Sequence, residues 1–212
     1  MKKDQEKEII ANTLLEIYRQ TGRRFVPAAI SNRHMHLSRG DIDALFGVGY
    51  ELTPIKPLSQ PGQFAAKETV TLIGPKGKID NIRVLGPARN ETQVEISVSD
   101  SFVVGIKPVV RMSGDLPGSP EGELRTERGS VQLQSGVMVA ARHLHLSASQ
   151  AKAMELRDGQ NVSLKTGGER SIILENVIVR CGEAHEMEVH LDTDEANGAL
   201  LKNGGIVEVL AG

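Results

Sequence analysis

Arg33-His34-Met35-His36-Leu37-Ser38 returns 109 residues later as Arg142-His143-Leu144-His145-Leu146-Ser147. Five of the six positions are identical, and the sixth exchanges Met for Leu. In an extended strand, residues i and i+2 share a face, so each pair of histidines aims two imidazoles at one point. Each copy ends on serine, a preferred helix N-cap. Asp41 and Gln150 follow three residues later, where a capping box or a near relative of one places them. The echo continues at a new spacing of 95: Asn81-Ile-Arg-Val aligns with Asn176-Val-Ile-Val, and Val94-Glu95-Ile96 with Val189-His190-Leu191. The spacing falls from 109 to 95, so the first copy carries about 14 extra residues. They lie around Tyr50 to Lys78, where Pro54, Pro57 and Gln60-Pro-Gly-Gln63 mark an enlarged loop. The chain reads as a duplicated module with one loop expanded.

Outward from the repeat, short Val- and Ile-rich runs alternate with Gly, Pro and Asn turns. Examples are Thr69–Ile73, Ile82–Leu85, Gln93–Val98, Val162–Leu164, Ser171–Leu174, Val177–Val179, Met187–Leu191 and Ile206–Leu210. Each is strand-like by length, β-branching and flanking turns. Many short strands with few helices predict a mainly β protein made of small barrels or sandwiches. The 113–123 stretch, rich in Gly and Pro, reads as a surface linker. Residues 5–20 read as an amphipathic N-terminal helix with the stripe Ile10, Leu14, Ile17 and Tyr18, a polar face that includes Lys2 and Lys3, and Gly22 as its stop. Such a helix either packs on the body or docks on a partner.

The chain has 212 residues, enough to bury a core without disulfides. Aromatics are 3% and Trp is absent, so Val, Ile and Leu must fill that core. A net charge of -2 gives no whole-chain attraction to nucleic acid or an anionic membrane. The single cysteine, Cys181, precludes an internal disulfide and fits a reducing compartment. No apolar run approaches the roughly 20 residues that span a bilayer. The Met-Lys-Lys-Asp-Gln-Glu start has no secretory h-region. A cytoplasmic location is expected.

Imidazole suits zinc, and two histidines on one strand with a third ligand from another strand make a common catalytic arrangement. The repeat nominates that third ligand, because Glu95 and His190 occupy equivalent places. His34/His36/Glu95 and His143/His145/His190 then form two related sets, each leaving a position for water or substrate. Five of the six histidines are used, leaving only His185. Cys181 has no close sequence partner and reads as structural. No Gly-x-Ser-x-Gly elbow, Walker loop or dinucleotide fingerprint is present. Arg89, in the Gly86-Pro-Ala-Arg-Asn turn before Glu95, is a candidate grip for phosphate. Lys56 and Arg83 are weaker candidates.

Together Ser31-Asn-Arg-His-Met-His-Leu-Ser38, Gly86-Pro-Ala-Arg-Asn-Glu-Thr-Gln-Val-Glu95, Ala141-Arg-His-Leu-His-Leu146 and Val189-His-Leu-Asp-Thr-Asp-Glu-Ala-Asn197 resemble the PduL-type phosphate acyltransferases (phosphate propanoyltransferases). The resemblance runs from about residue 25 to the end. It implies two β-barrels that exchange their first strand: 23–32 with 141–212, and 33–140, after an N-terminal segment 1–22. Reading the residues alone would place the cut in the 113–130 linker. It also implies a di-zinc site held by the two sets above, and a lid formed by the enlarged loop near 50–78. Arg89 would bind phosphate, and Ser31, Lys56, Arg83, Leu85, His190 and Asn197 would contact coenzyme A. The implied reaction interconverts propanoyl-CoA or acetyl-CoA plus phosphate with acyl phosphate plus CoA. Some relatives use an N-terminal peptide to enter a bacterial microcompartment through its shell or core proteins. A homodimer is a further state that the sequence leaves open. Two rival readings are a cupin-like metalloenzyme and a non-catalytic metal-binding module. The cupin reading is weakened by Gly40 and Asp41 standing where its glutamate belongs.

Overall fold

A computed structural model describes residues 2–183 and 185–211, with side chains from residue 5 onward. Lys2 and Lys3, expected on the polar face of the first helix, lie outside the residues whose side chains are described. The chain begins with α1 (Lys2–Thr21) and β1 (Arg24–Ser31). Then come β2 (His34–His36), α2 (Arg39–Phe46), β3 (Pro54–Pro57), β4 (Phe64–Ile73), β5 (Lys78–Gly86), β6 (Gln93–Glu95) and α3 (Val98–Val104). Next are β7 (Val110–Arg111), β8 (Gly122–Arg125), β9 (Ser130–Leu133) and β10 (Val137–Ala140). The chain continues through β11 (His143–Leu146), α4 (Ala148–Ala153), β12 (Asn161–Lys165), β13 (Ile173–Cys181), β14 (Glu188–Asp192), α5 (Thr193–Gly198) and β15 (Ile206–Leu210). Two compact units result, one joining the residues up to Ser31 with those from Arg142, the other Asn32–Ala141. The 113–121 stretch, with β7 before it and β8 after it, is thus a loop inside the second unit rather than a link between units.

The first unit is a closed barrel in the order β1-β14-β11-β13-β12-β15. The distant β1 closes it, parallel to β14 and antiparallel to β15. Val26, Leu144, Leu146, Leu164, Val177, Val179, Val189 and Val207 fill its interior. Leu14 of α1 is buried in the same core, and Ile17 and Tyr18 pack against it. Arg24 locks the helix by donating to Tyr18 Oη at 3.0 Å and to the Met154 carbonyl at 2.7 Å. Gly22, at φ +70°, stops it as its N–H bonds the Tyr18 carbonyl. Three of the four stripe residues thus face the barrel. Ile10, with its neighbour Ile9, is exposed.

The second unit is a nine-stranded half-barrel, β7-β10-β6-β2-β5-β4-β8-β9 with β3 on β4. Met35, Leu37, Leu72, Ile82, Val84, Val94 and Leu124 form its core.

The repeat reappears as strand register. β2 runs parallel to β5 and antiparallel to β6, pairing His34 with Glu95. β11 likewise runs parallel to β13 and antiparallel to β14, pairing His143 with His190. Asn81 and Asn176 sit at φ +61° and +58°, each at a register shift, so these aligned asparagines each take the left-handed position of a β-bulge. The bulge also joins Ser171–Leu174 and Val177–Val179, read separately from sequence, into the region of one strand, β13. The run Gln93–Val98 is shorter than expected, because Ser97 caps α3 in a capping box with Asp100. Asp192 and Glu195 repeat that box at α5. The arginine that opens each repeat clamps the boxed acid: Arg33 Nε lies 2.9 Å from Asp100, and Arg142 Nε 2.5 Å from Glu195.

The extra residues of the first copy build β3, the turn after it and a ten-residue β4. Glu68 anchors them by accepting from Tyr50 Oη and the Thr53 N–H. Phe64 lies against Gly86, where a Cβ would fall 2.2 Å from its ring, so a side chain at the root of the Arg89 turn would have to push the Phe64 ring aside.

Candidate metal centres

Each unit gathers the three side chains that the repeat nominated. In His34/His36/Glu95, and again in His143/His145/His190, the ligand atoms within a group lie within 4.8 Å of one another. Strand geometry explains this: i and i+2 histidines share a face, and the antiparallel neighbour brings the third residue opposite the first.

In the second unit, His34 Nδ1 lies 2.8 Å from the Asn32 carbonyl. A carbonyl only accepts, so Nδ1 carries the proton and Nε2 the lone pair. That Nε2 faces Glu95 Oε2 at 3.4 Å. A lone pair opposed to a carboxylate calls for a cation or a proton between them. Burial pulls the His34 pKa down, but Glu95 and the Asn32 carbonyl more than offset it, and the net shift is upward. His36 is only 3% exposed, and its Nδ1 has no hydrogen-bond partner among the described residues. Burial, then the Arg89 guanidinium, then His34 push its pKa down to about 3. A neutral imidazole with an unpaired buried nitrogen is the state a metal requires.

The first unit repeats the design. His143 and His145 are buried, and His145 Nδ1, the counterpart of His36 Nδ1, is also without a hydrogen-bond partner among the described residues. Burial and the surrounding imidazoles push the His145 pKa down to about 2. His190 Nε2 lies 2.8 Å from Glu188. The residues present therefore fit a divalent metal: each group holds an orphaned, buried nitrogen among donors suited to zinc.

Sequence reading missed the residues that orient these donors. Gln93 Nε2 donates to Glu95 at 2.5 Å and to Ser113 Oγ at 2.9 Å. Glu188 stands 95 residues on from Gln93, beside His190. The available signal was the i, i+2 pairing Gln93-x-Glu95 and Glu188-x-His190. Such partners fix ligand orientation and basicity. Ser113 comes from the stretch read as a linker. His185, outside both groups, places its ring centroid 4.3 Å from that of His145.

Arg89 is set beside the second unit's group. Its N–H bonds the Leu37 carbonyl at 2.9 Å, its strand-like bridge is to Ser38, and Nη1 donates to Ser113 Oγ at 3.2 Å. The other expected positions fall in both units. Arg83 pairs in register with His34 and donates to the Ala66 and Lys67 carbonyls. The Leu85 backbone bonds the His36 ring. Lys56 is exposed on β3. In the first unit, Ser31 pairs with Asp192 at the end of β1, and Asn197 is exposed on α5. Burial and Asp158 raise the Cys181 thiol pKa, which keeps it a poor nucleophile.

Residues 27–202 match the family described as phosphate propanoyltransferase. The chain is 50% identical over 182 residues to a phosphate propanoyltransferase of Thermotoga maritima, covering 85% of this chain and 87% of that protein. It is 50% identical over 184 residues to one of Rhodopseudomonas palustris, covering 87% and 81%. With one of Clostridioides difficile it shares 42% over 205 residues, covering 96% and 98%.

Proposed function

This chain belongs to the phosphate propanoyltransferase family and is a phosphate acyltransferase, and from that premise we propose that it works as a zinc enzyme on propanoyl-CoA or acetyl-CoA. The cupin-like and non-catalytic alternatives fall away with the family assignment. The observation that carries the zinc reading is the matched pair of orphaned nitrogens, His36 Nδ1 and His145 Nδ1. His34, His36 and Glu95 hold one ion; His143, His145 and His190 hold the other. Bound there, zinc supplies a Lewis acid that polarises a thioester carbonyl and stabilises a departing thiolate.

The chain's own residues do the rest. The planar fork of Arg89 grips phosphate bidentately; Ser113 Oγ holds the fork, and the Leu37 carbonyl anchors the Arg89 backbone. Gln93 keeps Glu95 oriented. A phosphate oxygen attacks the acyl carbon, the C–S bond breaks, and CoA leaves as thiolate. The attack is direct. Cys181 is held as a thiol, and Ser113 Oγ already accepts from Arg89 and Gln93. Ser31, Lys56, Arg83, Leu85, His190 and Asn197 are the coenzyme A contacts of this reading, and the β3–β4 insert is its lid.

Thiol release from propanoyl-CoA with phosphate tests the function. Activity should vanish when zinc is removed and return with zinc; full activity in protein shown metal-free by mass spectrometry refutes the mechanism. The same reading places the enzyme in a bacterial cytoplasm, within a microcompartment, docked through the exposed Ile9 and Ile10. Ile9→Glu with Ile10→Glu should abolish co-localisation with the shell and spare activity, and unchanged co-localisation refutes the docking. A homodimer through Phe102 and Val103, both exposed on α3, completes the proposal. Phe102→Glu should then elute as a monomer in size-exclusion chromatography, and an unaltered dimer refutes that interface.

A further inference from the structure

Three of the four short helices close a capping box on themselves: Ser97 with Asp100 at α3, Ser147 with Gln150 at α4 and Asp192 with Glu195 at α5. The cap of α2 is built differently. Ser38 Oγ accepts from the Asp41 N–H at 3.1 Å, but the Ser38 N–H donates to Thr92 Oγ1 at 2.8 Å rather than to Asp41. The Thr92 hydroxyl in turn donates to the Asp41 carboxylate. A side chain 51 residues from Asp41 thus completes the cap, and it is only 6% exposed. This is also where the Arg89 turn is tied down. The Arg89 N–H bonds the Leu37 carbonyl at 2.9 Å, and Thr92, three residues on, bonds Ser38, the residue after Leu37. The repeat supplies an internal control. At the spacing of 95, Thr92 corresponds to Met187, which is buried in the barrel core, and there Gln150 closes the box on the Ser147 N–H unaided, at 2.9 Å. The carbonyl that matches Leu37, that of Leu146, accepts from Gly182, whose counterpart is Pro87, a residue with no N–H to give. The copy that carries Arg89 therefore ties its turn in its own way, at Arg89 and at Thr92.

We propose that Thr92 is a positioning residue for phosphate use: by joining the α2 cap to the Arg89 turn, its hydroxyl sets where the Arg89 guanidinium stands. This rests on the phosphate role of Arg89 stated above. A hydroxyl suits the task because it accepts and donates at once. It takes the Ser38 N–H and gives its own proton to a carboxylate, a charge-assisted bond. Ser113 holds the side-chain end of Arg89, while Leu37 and Thr92 hold the backbone that carries it. A guanidinium fixed at both ends loses little freedom on gripping an anion bidentately.

Thiol release from propanoyl-CoA at varied phosphate tests this in a double-mutant cycle with Arg89→Ala. Thr92→Val keeps the side-chain shape and removes the hydroxyl. It should lower kcat/KM for phosphate about 10-fold, leave KM for propanoyl-CoA within about twofold and keep the circular dichroism intact. Thr92→Ser retains the hydroxyl and should behave like wild type. In the Arg89→Ala background, Thr92→Val should cost less than about twofold more, because it acts through Arg89. If Thr92→Val misfolds, Thr92→Ala replaces it in the same cycle. Wild-type phosphate kinetics in Thr92→Val, an equal loss in Thr92→Ser, or an undiminished loss in the Arg89→Ala background overturns the inference while leaving Arg89 as the phosphate grip. Wild-type phosphate kinetics in Arg89→Ala overturns the phosphate reading and the inference with it.

Discussion

Removing zinc should lower the thermal stability of each unit by an amount that can be worked from its orphaned nitrogen. His36 is 3% exposed and its Nδ1 has no hydrogen-bond partner among the described residues. A buried polar atom left unsatisfied costs about 1–3 kcal/mol, which the metal-free protein bears and the loaded protein does not. At a thousandfold excess of free zinc over its Kd, binding contributes about 4 kcal/mol per site. The second unit, Asn32–Ala141, spans 110 residues. For domains near that size, each kcal/mol moves Tm by about 4 °C, so its transition should rise by roughly 15 °C on loading. His36→Ala deletes a ligand and the orphaned atom together. Its metal-free Tm should therefore change little, because lost packing is offset by the removed unsatisfied nitrogen, while the zinc-dependent rise of this unit disappears. His145→Ala should do the same to the first unit alone. Differential scanning calorimetry with zinc and with chelator separates these outcomes. A zinc-dependent rise in His36→Ala equal to that of wild type would refute the reasoning.

Arg89→Ala should lower kcat/KM for phosphate about 10- to 200-fold, the equivalent of a charged hydrogen bond worth about 1.5–3 kcal/mol. KM for propanoyl-CoA should stay within about twofold, and equal damage to both substrates would count against a phosphate role. Arg142→Ala should cost roughly 1.5–3 kcal/mol in urea unfolding, since its partner Glu195 is largely buried in the α5 capping box. Arg33→Ala should cost a similar amount, because its partner Asp100 is more deeply buried than Glu195 although Arg33 itself is 42% exposed. In metal-free protein, His36 and His145 stay neutral when folded, with pKa values pushed down to about 3 and about 2. Unfolded, they take up protons below about pH 6.5. The unfolded state then binds more protons, so stability falls as pH falls below about 6.5, by up to about 2.7 kcal/mol per pH unit for the pair. The raised His34 pKa offsets part of this near neutrality. A flat urea midpoint between pH 6.5 and 4.5 would contradict the buried neutral state.

Much of this protein could be read locally. Strand periodicity places His34 with His36 and His143 with His145, and serine caps mark where each strand becomes a helix. The spacing of the repeat nominated Glu95 and His190, which the antiparallel register brings opposite His34 and His143. These are local patterns copied twice, so one sequence suffices to find them. Other features depend on pairings that no local pattern encodes. The loop at 113 turns inward to hold Gln93 and Arg89 through Ser113, and its Gly and Pro content could not announce that. Leu14, Ile17 and Tyr18 form an apolar stripe that suits a partner or a core equally well. Contact with the barrel assigned them to the core, leaving Ile9 and Ile10 outside. His185 is 40 residues from His145 in sequence, and only the β13–β14 turn brings the rings together. By itself the sequence determined the repeated strand–helix units and the donors they carry, because periodicity and capping act within a few residues. Only the tertiary structure decided which barrel β1 closes, what orients the donors and where the sixth histidine lies, because those contacts join residues far apart in the chain through packing.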